Sequence, residues 1–269
     1  MKWGLCASVA GLLLMSPASP AADDLDPFLH LSGSASSWEA KQPRFSTTQH
    51  WAPFPSSFLK KAPLILPKDW ETTIVLPAPP HHRSARTQAE IEYLAELQGK
   101  RTPADEALIS GEADGIGWRF GKHRFADLLG GAKGPKTKDL VIAAMEDFSP
   151  VIFQMKKKYD RVRPSFLNPR LKPSMEVPGH PAYPSGHASQ AFFIAYLLAE
   201  LDPPNQEVYL TDATAIAKRR EIAGFHYPSD TAAGALLARQ VLDLLLEQKQ
   251  FRGLLEKARA EWEPKRPSI

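Results

Sequence analysis

Three short motifs in the second half of the chain contain residues suited to binding a phosphate group and reacting with it. In order, they are Lys156-x6-Arg163-Pro164, Pro184-Ser185-Gly186-His187 and Arg220-x5-His226-x3-Asp230. Together they supply three cationic side chains, a hydroxyl group and two histidines, one of which has a carboxylate four residues later. Each motif alone is a weak signal, but the ordered set suits a tetrahedral oxyanion and its hydrolysis.

The first motif places two cations seven residues apart. A continuous helix would present Lys156 and Arg163 on one face, and Pro164 would end that helix with Arg163 at its mouth. An ammonium and a guanidinium held in this way can bind phosphate oxygens. Because the neighbouring residues include further lysines and Arg161, a solvated basic face is the simpler interpretation of this segment taken alone.

The second motif precedes a strongly apolar segment that predicts a buried helix. Ser185 falls at the N-cap of this helix, and Gly186 leaves its amide open to an approaching ligand. Amides at a helix start form a ready anion site. His187 in the first turn can donate a proton to a departing oxygen. Simple capping by Ser185 is the structural alternative, and it is compatible with ligand binding.

The third motif combines a histidine with residues that form turns. Gly224 is expected to end the helix that carries Arg220, and Pro228 is expected to begin the next one. His226 then lies in a tight loop, with Asp230 in the first turn of the following helix. A hydrogen bond from the imidazole to this carboxylate would fix the tautomer and leave the other nitrogen able to attack. Taken alone, the pair is equally compatible with a loop histidine and a helix-start carboxylate.

A metal site is not expected from the histidines. The chain contains no H-x-x-x-H or H-E-x-x-H pattern. The lysine and arginine residues between the histidines would also repel a cation.

The beginning of the chain predicts export from the cell. Residues 1–22 combine a positive Lys2, an apolar stretch too short to span a membrane and small residues before Ala22, as in a cleaved signal peptide. The one cysteine, Cys6, lies in this segment, so the exported protein would have no disulfide. No later apolar run reaches spanning length, which predicts a periplasmic or secreted protein without stable membrane insertion.

Composition indicates one substantial globular domain. The chain has 269 residues, of which 43% are hydrophobic and 23% are charged. The formal net charge of +3 is small and does not demand nucleic acid or an anionic membrane as a partner. We expect an all-α fold, with a helical bundle over residues 85–269 and an irregular proline-rich arm over residues 23–84.

Proline and aromatic residues define the arm. Eight prolines between Pro43 and Pro80 make long helices unlikely there. Aromatic residues such as Trp51, Phe54 and Trp70 argue against disorder, so we expect the arm to pack across the helical body. A short strand is predicted at 72–76. Helices are predicted at about 89–97, from Pro103 onward, and at 121–130, 137–158, 187–201, 205–222, 230–247 and 249–262.

The three motifs, KKKYDRVRP, YPSGH and RREIAGFHYPSD in this chain, resemble those of the phosphatidic-acid phosphatase type 2 superfamily. This family includes soluble bacterial acid phosphatases and vanadium-dependent haloperoxidases. The size and predicted export are most similar to the class A nonspecific acid phosphatases. Two features depart from the family pattern: Arg219 replaces a common serine, and residues 179–183 differ from the Gly-Ser-Tyr of a strict class A enzyme.

The resemblance implies a metal-independent acid phosphatase that works through a phosphohistidine and acts on small phosphorylated substrates. It assigns the nucleophile to His226, orientation of that ring to Asp230 and protonation of the leaving group to His187. The residues implied to bind phosphate are Lys156, Arg163, Ser185, Gly186 and Arg220. No cofactor is implied, although vanadate or phosphate could occupy the same site. A homodimer is compatible with the resemblance.

Three other functions are weighed against this one. A vanadate-dependent haloperoxidase would use the same donors with His226 as the vanadate ligand, although the chain is short for that group. A lipid or isoprenoid phosphate phosphatase would act on esters from membranes, but the chain lacks spanning segments. A non-catalytic binder would need the cations, whereas His187, His226 and Asp230 together favour catalysis.

Overall fold

A computed structural model describes residues 43–113, 118–131 and 133–262 of the chain. The predicted signal peptide, Cys6 and the first part of the arm therefore lie outside the described residues. Within the described part, the fold is all-α as the sequence predicts, apart from one short β-ribbon. No helix there is both long and apolar enough to cross a membrane.

Short helices occupy the arm and longer helices form the body. The arm contains α1 (Phe45–Thr48), α2 (Pro53–Ser57), a 3-10 turn (Phe58–Lys60) and α3 (Trp70–Thr73). The body contains α4 (Ala85–Lys100), α5 (Pro103–Ala113), α6 (Phe125–Gly130), α7 (Pro135–Tyr159), α8 (Pro164–Leu167), α9 (Gly186–Leu201), a 3-10 turn (Pro203–Asn205), α10 (Gln206–Ile222), α11 (Pro228–Glu247) and α12 (Lys249–Arg259). Strands β1 (Arg119–Phe120) and β2 (His123–Arg124) pair antiparallel before α6.

Helix α9 lies at the centre of the bundle. Most of its residues are buried, which agrees with its apolar composition on all sides. It packs mainly against α10 and α11, and α7 packs against α12 and α9. Gly234 on α11 permits the close approach of α9, because a Cβ there would lie 2.9 Å from the Ser185 carbonyl oxygen and 3.0 Å from Ala188 Cβ. This contact brings the second and third motifs together.

The described part of the arm packs across the bundle, as the sequence predicts. Apolar arm residues share one core cluster with the long helices: Ile65, Leu66, Trp70, Ile74 and Leu76. The buried carboxylate of Asp147 on α7 accepts hydrogen bonds from the backbone N–H groups of residues 64–66 at 2.7–3.1 Å. Burial of apolar side chains and these charge-assisted bonds hold the arm on α7.

Two predicted elements differ from the structure, one in the arm and one in the helical body. Residues 72–76 do not form a strand, because α3 includes the first two of them and the backbone of Val75 pairs with a side chain. Both its N–H and its carbonyl bind the Gln240 amide, at 2.8 and 2.9 Å. The helix predicted at 121–130 begins only at Phe125, since Gly121 has φ 58° and forms the turn between β1 and β2.

The prediction that Lys156 and Arg163 share one helix is also wrong. Helix α7 ends at Tyr159, and Asp160 adopts a left-handed conformation with φ 48°. Arg163 is instead the N-cap of α8, with the extended backbone favoured before Pro164. The Asp160 carboxylate accepts the Ser46 N–H at 3.1 Å, so a contact with the arm stabilises this early end of α7.

Candidate active site

His226 and Asp230 form a buried hydrogen-bonded pair. Gly224, with φ 77°, ends α10, and α11 begins at Pro228, so the loop between them contains His226. The His226 Nδ1–H donates to Asp230 Oδ2 at 3.1 Å. Burial, reinforced by nearby cations, lowers the pKa of His226 well below 6.5. The ring is therefore neutral at neutral pH, with its lone pair on Nε2.

Arg163 lies directly beside this lone pair. Its Nη1 donates to His226 Nε2 at 3.0 Å and to the Phe225 carbonyl at 2.9 Å. Its Nε and Nη2 donate to the His180 carbonyl at 3.1 and 2.9 Å. Burial lowers the pKa of Arg163 to about 10, so the guanidinium remains charged at neutral pH. A guanidinium can only donate, which agrees with an Nδ1–H tautomer for His226.

Lys156 is fully buried beneath the start of α9, so a solvated basic face is the wrong interpretation for this residue. Its ammonium donates to the carbonyls of Pro181, Ala182 and Pro184 at 2.9, 3.2 and 2.6 Å. Its Cε lies 3.5 Å from the position that a Cβ on Gly186 would take. Burial, together with Arg163, lowers the pKa of Lys156 well below 10.5. The amino group of Lys156 is thus placed at the helix start that the second motif predicts.

Ser185 is the N-cap of α9, as predicted. Its Oγ accepts the Ala188 N–H at 3.4 Å. Its own N–H donates to the Asp230 carbonyl at 2.9 Å, which joins the second motif to the third. The first amides of a helix have no partner within that helix. Those of Gly186 and His187 are therefore suited to bind an anion.

His187 lies in the first turn of α9, next to Trp118, with ring centroids 5.2 Å apart. Its Nε2–H donates to the Glu112 carbonyl at 3.2 Å. Burial, reinforced by Arg220, lowers the pKa of His187 to about 3. The second histidine is thus also neutral in this arrangement.

Arg220 shares a carboxylate with Arg219. Arg220 Nη2 donates to Glu112 Oε2 at 2.6 Å, and Arg219 Nε donates to Glu112 Oε1 at 2.6 Å. The Nε of Arg220 is buried and has no hydrogen-bond partner among the described residues. A buried guanidinium N–H without a partner is costly unless a ligand accepts it. The departure at Arg219 therefore adds a cation beside the site and leaves Arg220 in place.

The role of Glu112 was missed from the sequence. It lies on α5, three residues after the buried Ile109, and both side chains face inward. A glutamate at helical spacing from an apolar core residue was the available signal.

Arg161 and Glu90 were also missed, and they support Asp230 from behind. Arg161 Nη1 donates to Asp230 Oδ1 at 2.6 Å and to Ser229 Oγ at 2.8 Å. Its Nη2 donates to Glu90 Oε2 at 3.1 Å. Burial alone would lower the pKa of Arg161, but Asp230 and Glu90 outweigh it and raise the pKa. Arg161 is buried, so the solvated basic face is wrong here as well.

The residues predicted from the three motifs form one cluster at a cavity of about 950 Å³. Those that line it are Lys156, Gly186, His187, Arg220 and His226. The other three are buried behind them: Arg163, Ser185 and Asp230. In the described part of the chain, no group of three or more His, Cys, Asp or Glu side chains could hold a metal ion.

The fold and the cluster define a helical-bundle protein with cationic side chains and two histidines gathered at one cavity. Residues 140–253 match the PAP2 superfamily. The chain therefore contains a PAP2 superfamily domain, and the resemblance seen in its motifs is confirmed.

Comparison with characterised proteins supports this placement. A non-specific acid phosphatase from Providencia stuartii is 28% identical over 133 residues, which cover 48% of this chain and 54% of that protein. An acid phosphatase from Zymomonas mobilis is 34% identical over 87 residues, which cover 32% of this chain and 33% of that protein. The matches thus span about half and a third of these relatives. A bacterial vanadium-dependent iodoperoxidase has the same fold, with a TM-score of 0.57 and 17% identity over 78% of this chain and 63% of that one.

Proposed function

We propose that this protein is an acid phosphatase that hydrolyses phosphate monoesters without a metal ion, through a phosphohistidine on His226. The observation that carries the proposal is the state of this histidine. Asp230 holds its Nδ1–H, and its Nε2 lone pair lies beside the guanidinium of Arg163. A neutral, oriented imidazole beside a phosphate-binding cation is an activated nucleophile. The acid phosphatase relatives support the same conclusion.

In the first half of the reaction, His226 Nε2 attacks phosphorus and the bond to the leaving oxygen breaks. Arg163, Lys156, Arg220 and the start of α9 hold the phosphate oxygens, on which negative charge is spread in the transition state. Fixed donors of this kind supply most of the catalysis of phosphoryl transfer. The imidazole becomes positively charged as the bond forms, and the Asp230 carboxylate stabilises that charge.

His187 is proposed to move the proton. Burial and Arg220 keep its pKa at about 3 in the free protein. The negative charge of a bound phosphate offsets the positive charge of Arg220 and raises the pKa of His187. Substrate binding therefore favours the protonated ring. His187 then donates a proton to the leaving oxygen. In the second half, it takes a proton from the water that attacks the phosphohistidine, and phosphate is released.

The proposal extends to location and substrates. The predicted signal peptide supports a periplasmic or secreted location. The acid phosphatase relatives support action on phosphate esters, and we propose small soluble ones as the substrates. Nucleic acid is not proposed as a partner, since the net charge of +3 is small.

Hydrolysis of p-nitrophenyl phosphate by the purified protein tests this function, between about pH 4 and 8 to include histidine and carboxylate titration. Parallel reactions contain EDTA. We expect activity that EDTA does not reduce. His226→Ala should lower kcat by at least about 10³-fold, because no other group can accept the phosphoryl group. The control is His50→Ala, because His50 is exposed. This substitution should leave kcat and KM unchanged.

Each step of the proposal has its own contradicting result. Loss of activity in EDTA would exclude metal independence. Retained activity in His226→Ala, or failure to isolate an acid-labile phosphoprotein from wild-type protein, would exclude the phosphohistidine. A folded but inactive wild-type protein would contradict the phosphatase itself. Assays of halide oxidation with added vanadate would then test the haloperoxidase alternative.

A further inference from the structure

The active-site cavity extends well beyond the residues that bind phosphate. Its volume of about 950 Å³ lies near the upper end of the range of small-molecule sites, about 300–1,000 Å³. A phosphate group fills only a small part of such a space. The remaining volume is available to the alcohol part of a phosphate ester.

The N-terminal arm supplies one wall of this outer region. Phe54 from the start of α2 and Phe58 from the following 3-10 turn line the cavity, together with Leu64. Phe153 from α7 and Trp118 also line it. The outer part of the cavity is therefore largely apolar and aromatic, in contrast to the charged inner end.

A continuous row of rings leads from the arm to the nucleophile. Phe54 meets Phe58 edge to face at 5.3 Å, and Phe58 stacks on Phe153 at 5.0 Å with an interplanar angle of 18°. Phe153 in turn meets the ring of His180 at 5.4 Å. His180 Nδ1 accepts a hydrogen bond from Arg163 Nη2 at 3.0 Å. The apolar wall thus ends at the guanidinium beside His226.

This wall is held in a defined position. The Ala52 N–H donates to the Gly179 carbonyl at 2.7 Å, and Gln154 Nε2 donates to the Lys61 carbonyl at 2.9 Å. Asp147 holds residues 64–66 on α7. A wall tied at both ends needs little ordering when a ligand binds, which favours affinity.

Large apolar side chains are exposed to solvent at the rim of the cavity, which indicates that a ligand binds there. Phe54 is 73% exposed and Leu64 is 77% exposed, and Met175 on the same cavity is 40% exposed. Large apolar side chains exposed together around a cavity indicate a binding surface. Glu146, Glu176 and Lys61 also line the cavity. The two carboxylates outnumber the one ammonium, which disfavours a leaving group with further negative charge.

We propose that Phe54, Phe58 and Phe153 form a subsite for the leaving group, and that the preferred substrates are phosphate monoesters of uncharged aromatic alcohols. This inference rests on the proposed phosphatase function. Aromatic rings gain from edge-to-face and offset contacts beyond the area that they bury. The arm is thus a specificity element of the active site.

The test compares kcat/KM for 2-naphthyl phosphate, phenyl phosphate and glycerol 2-phosphate. Naphthol and phenol are leaving groups of nearly equal acidity, so a difference between their esters reports binding of the ring. We expect wild-type protein to prefer the naphthyl ester to the phenyl ester by about tenfold, because the second ring adds buried apolar area.

Substitutions in the arm test whether its aromatic residues cause the preference for the naphthyl ester. Phe58→Ala and Phe54→Ala should each lower kcat/KM for 2-naphthyl phosphate by about fivefold, through KM. They should leave glycerol 2-phosphate hydrolysis and inhibition by inorganic phosphate unchanged. Phe58→Leu keeps apolar volume without the ring and should lose most of the same preference. Val75→Ala is the control, since Val75 belongs to the arm and is 68% exposed but does not line the cavity.

The possible outcomes separate the two proposals. Equal kcat/KM for the naphthyl and phenyl esters would overturn the subsite and leave the phosphatase standing. An equal fall in kcat/KM for all three esters in Phe54→Ala would also overturn the subsite. Misfolding would not explain that result, because Phe54 is exposed. Hydrolysis of none of the esters by folded wild-type protein would remove the phosphatase function, and the subsite with it.

Discussion

Both carboxylate oxygens of Asp230 are occupied in the free protein. One accepts the His226 Nδ1–H at 3.1 Å, and the other accepts Arg161 at 2.6 Å. Arg161 continues to Glu90, so a carboxylate, a guanidinium and a second carboxylate stand in line behind the imidazole. Arg161 touches no part of the cavity that would contain substrate. We infer that it is a positioning residue that acts through Asp230.

Replacement of Arg161 by lysine tests this role while the positive charge is kept. An ammonium cannot reach Asp230 and Glu90 with the fork geometry of a guanidinium. We expect Arg161→Lys to lower kcat by about 10- to 100-fold, with KM nearly unchanged because phosphate binding is not touched. Steady-state kinetics with p-nitrophenyl phosphate measure both constants.

The control for this variant is Arg170→Lys, since Arg170 is exposed. A purely structural role for Arg161 would lower only the fraction of active protein, so a wild-type kcat per folded, active molecule in Arg161→Lys would contradict the positioning role. A rise in KM at constant kcat would contradict the positioning role.

At the level of the helices, the geometry of the site depends on the contact between α9 and α11. Ser185 at the start of α9 donates its N–H to the carbonyl of Asp230 on α11 at 2.9 Å. Gly234, one turn further along α11, allows this approach because it has no side chain. The two motifs therefore have the correct spacing only if these helices remain close.

Gly234→Ala should separate the helices. The new Cβ would meet the Ser185 carbonyl oxygen at 2.9 Å and the Ser189 nitrogen at 3.0 Å, and these backbone atoms cannot rotate away. We expect a loss of about 1–3 kcal/mol in the free energy of unfolding. We also expect at least about a tenfold fall in kcat, because small displacements of reacting groups are costly. Urea unfolding and p-nitrophenyl phosphate hydrolysis measure the two effects.

Gly253→Ala on α12 is the matched control. A Cβ there meets nothing within 4 Å, so the substitution should stabilise the helix by up to about 1 kcal/mol and leave activity intact. Wild-type kcat in Gly234→Ala would show that the close approach of α9 and α11 has no role in the reaction.

At the scale of the whole molecule, folding keeps several histidines uncharged. Burial is the largest cause of a lowered pKa at five of them: His82, His123, His180, His187 and His226. In the last three, cations among Lys156, Arg163 and Arg220 lower the pKa further. The molecule therefore carries a concentrated positive site without charged imidazoles.

Stability should consequently fall with pH below about 6.5, the pKa of an unfolded histidine. The unfolded chain takes up protons there before the folded chain does, so the free energy of unfolding decreases as pH decreases. The slope should reach at most about 1.4 kcal/mol per pH unit for each histidine. Burial raises the pKa of Glu221, so this residue makes the folded protein more stable as pH decreases. It is one group and opposes the effect of several histidines.

Urea unfolding at about pH 7 and pH 5 measures this loss, within the histidine range. Added inorganic phosphate should restore part of the stability, because it binds the folded protein and favours the charged rings. Replacement of one buried histidine, as in His180→Asn, should reduce the slope. Equal stability at both pH values would contradict the account.

The sequence alone was sufficient for the main helices and for the set of motif side chains that the structure brings together. The predictions at 187–201, 205–222 and 230–247 agree with α9, α10 and α11 to within two residues. Hydrophobic period and turn chemistry are local properties, and Gly224 ends α10 as its position predicts. The ordered motifs likewise indicated which side chains would meet, since each motif lies at a helix boundary.

Other features depended on contacts between distant parts of the chain. The end of α7 lies within one residue of the helix predicted at 137–158, but the hydrogen bond between Ser46 and Asp160 joins residues 114 positions apart, and no local pattern records that contact. Arg161 meets Asp230 across 69 residues of sequence, and Glu90 accepts the Ser229 N–H across 139. From sequence alone, a charged side chain is expected to lie at the surface, because a solvent-exposed charge has no desolvation cost. Only the tertiary structure showed that Arg161, Glu90 and Glu112 are buried partners of the site, since burial becomes favourable only when their opposite charges are brought together.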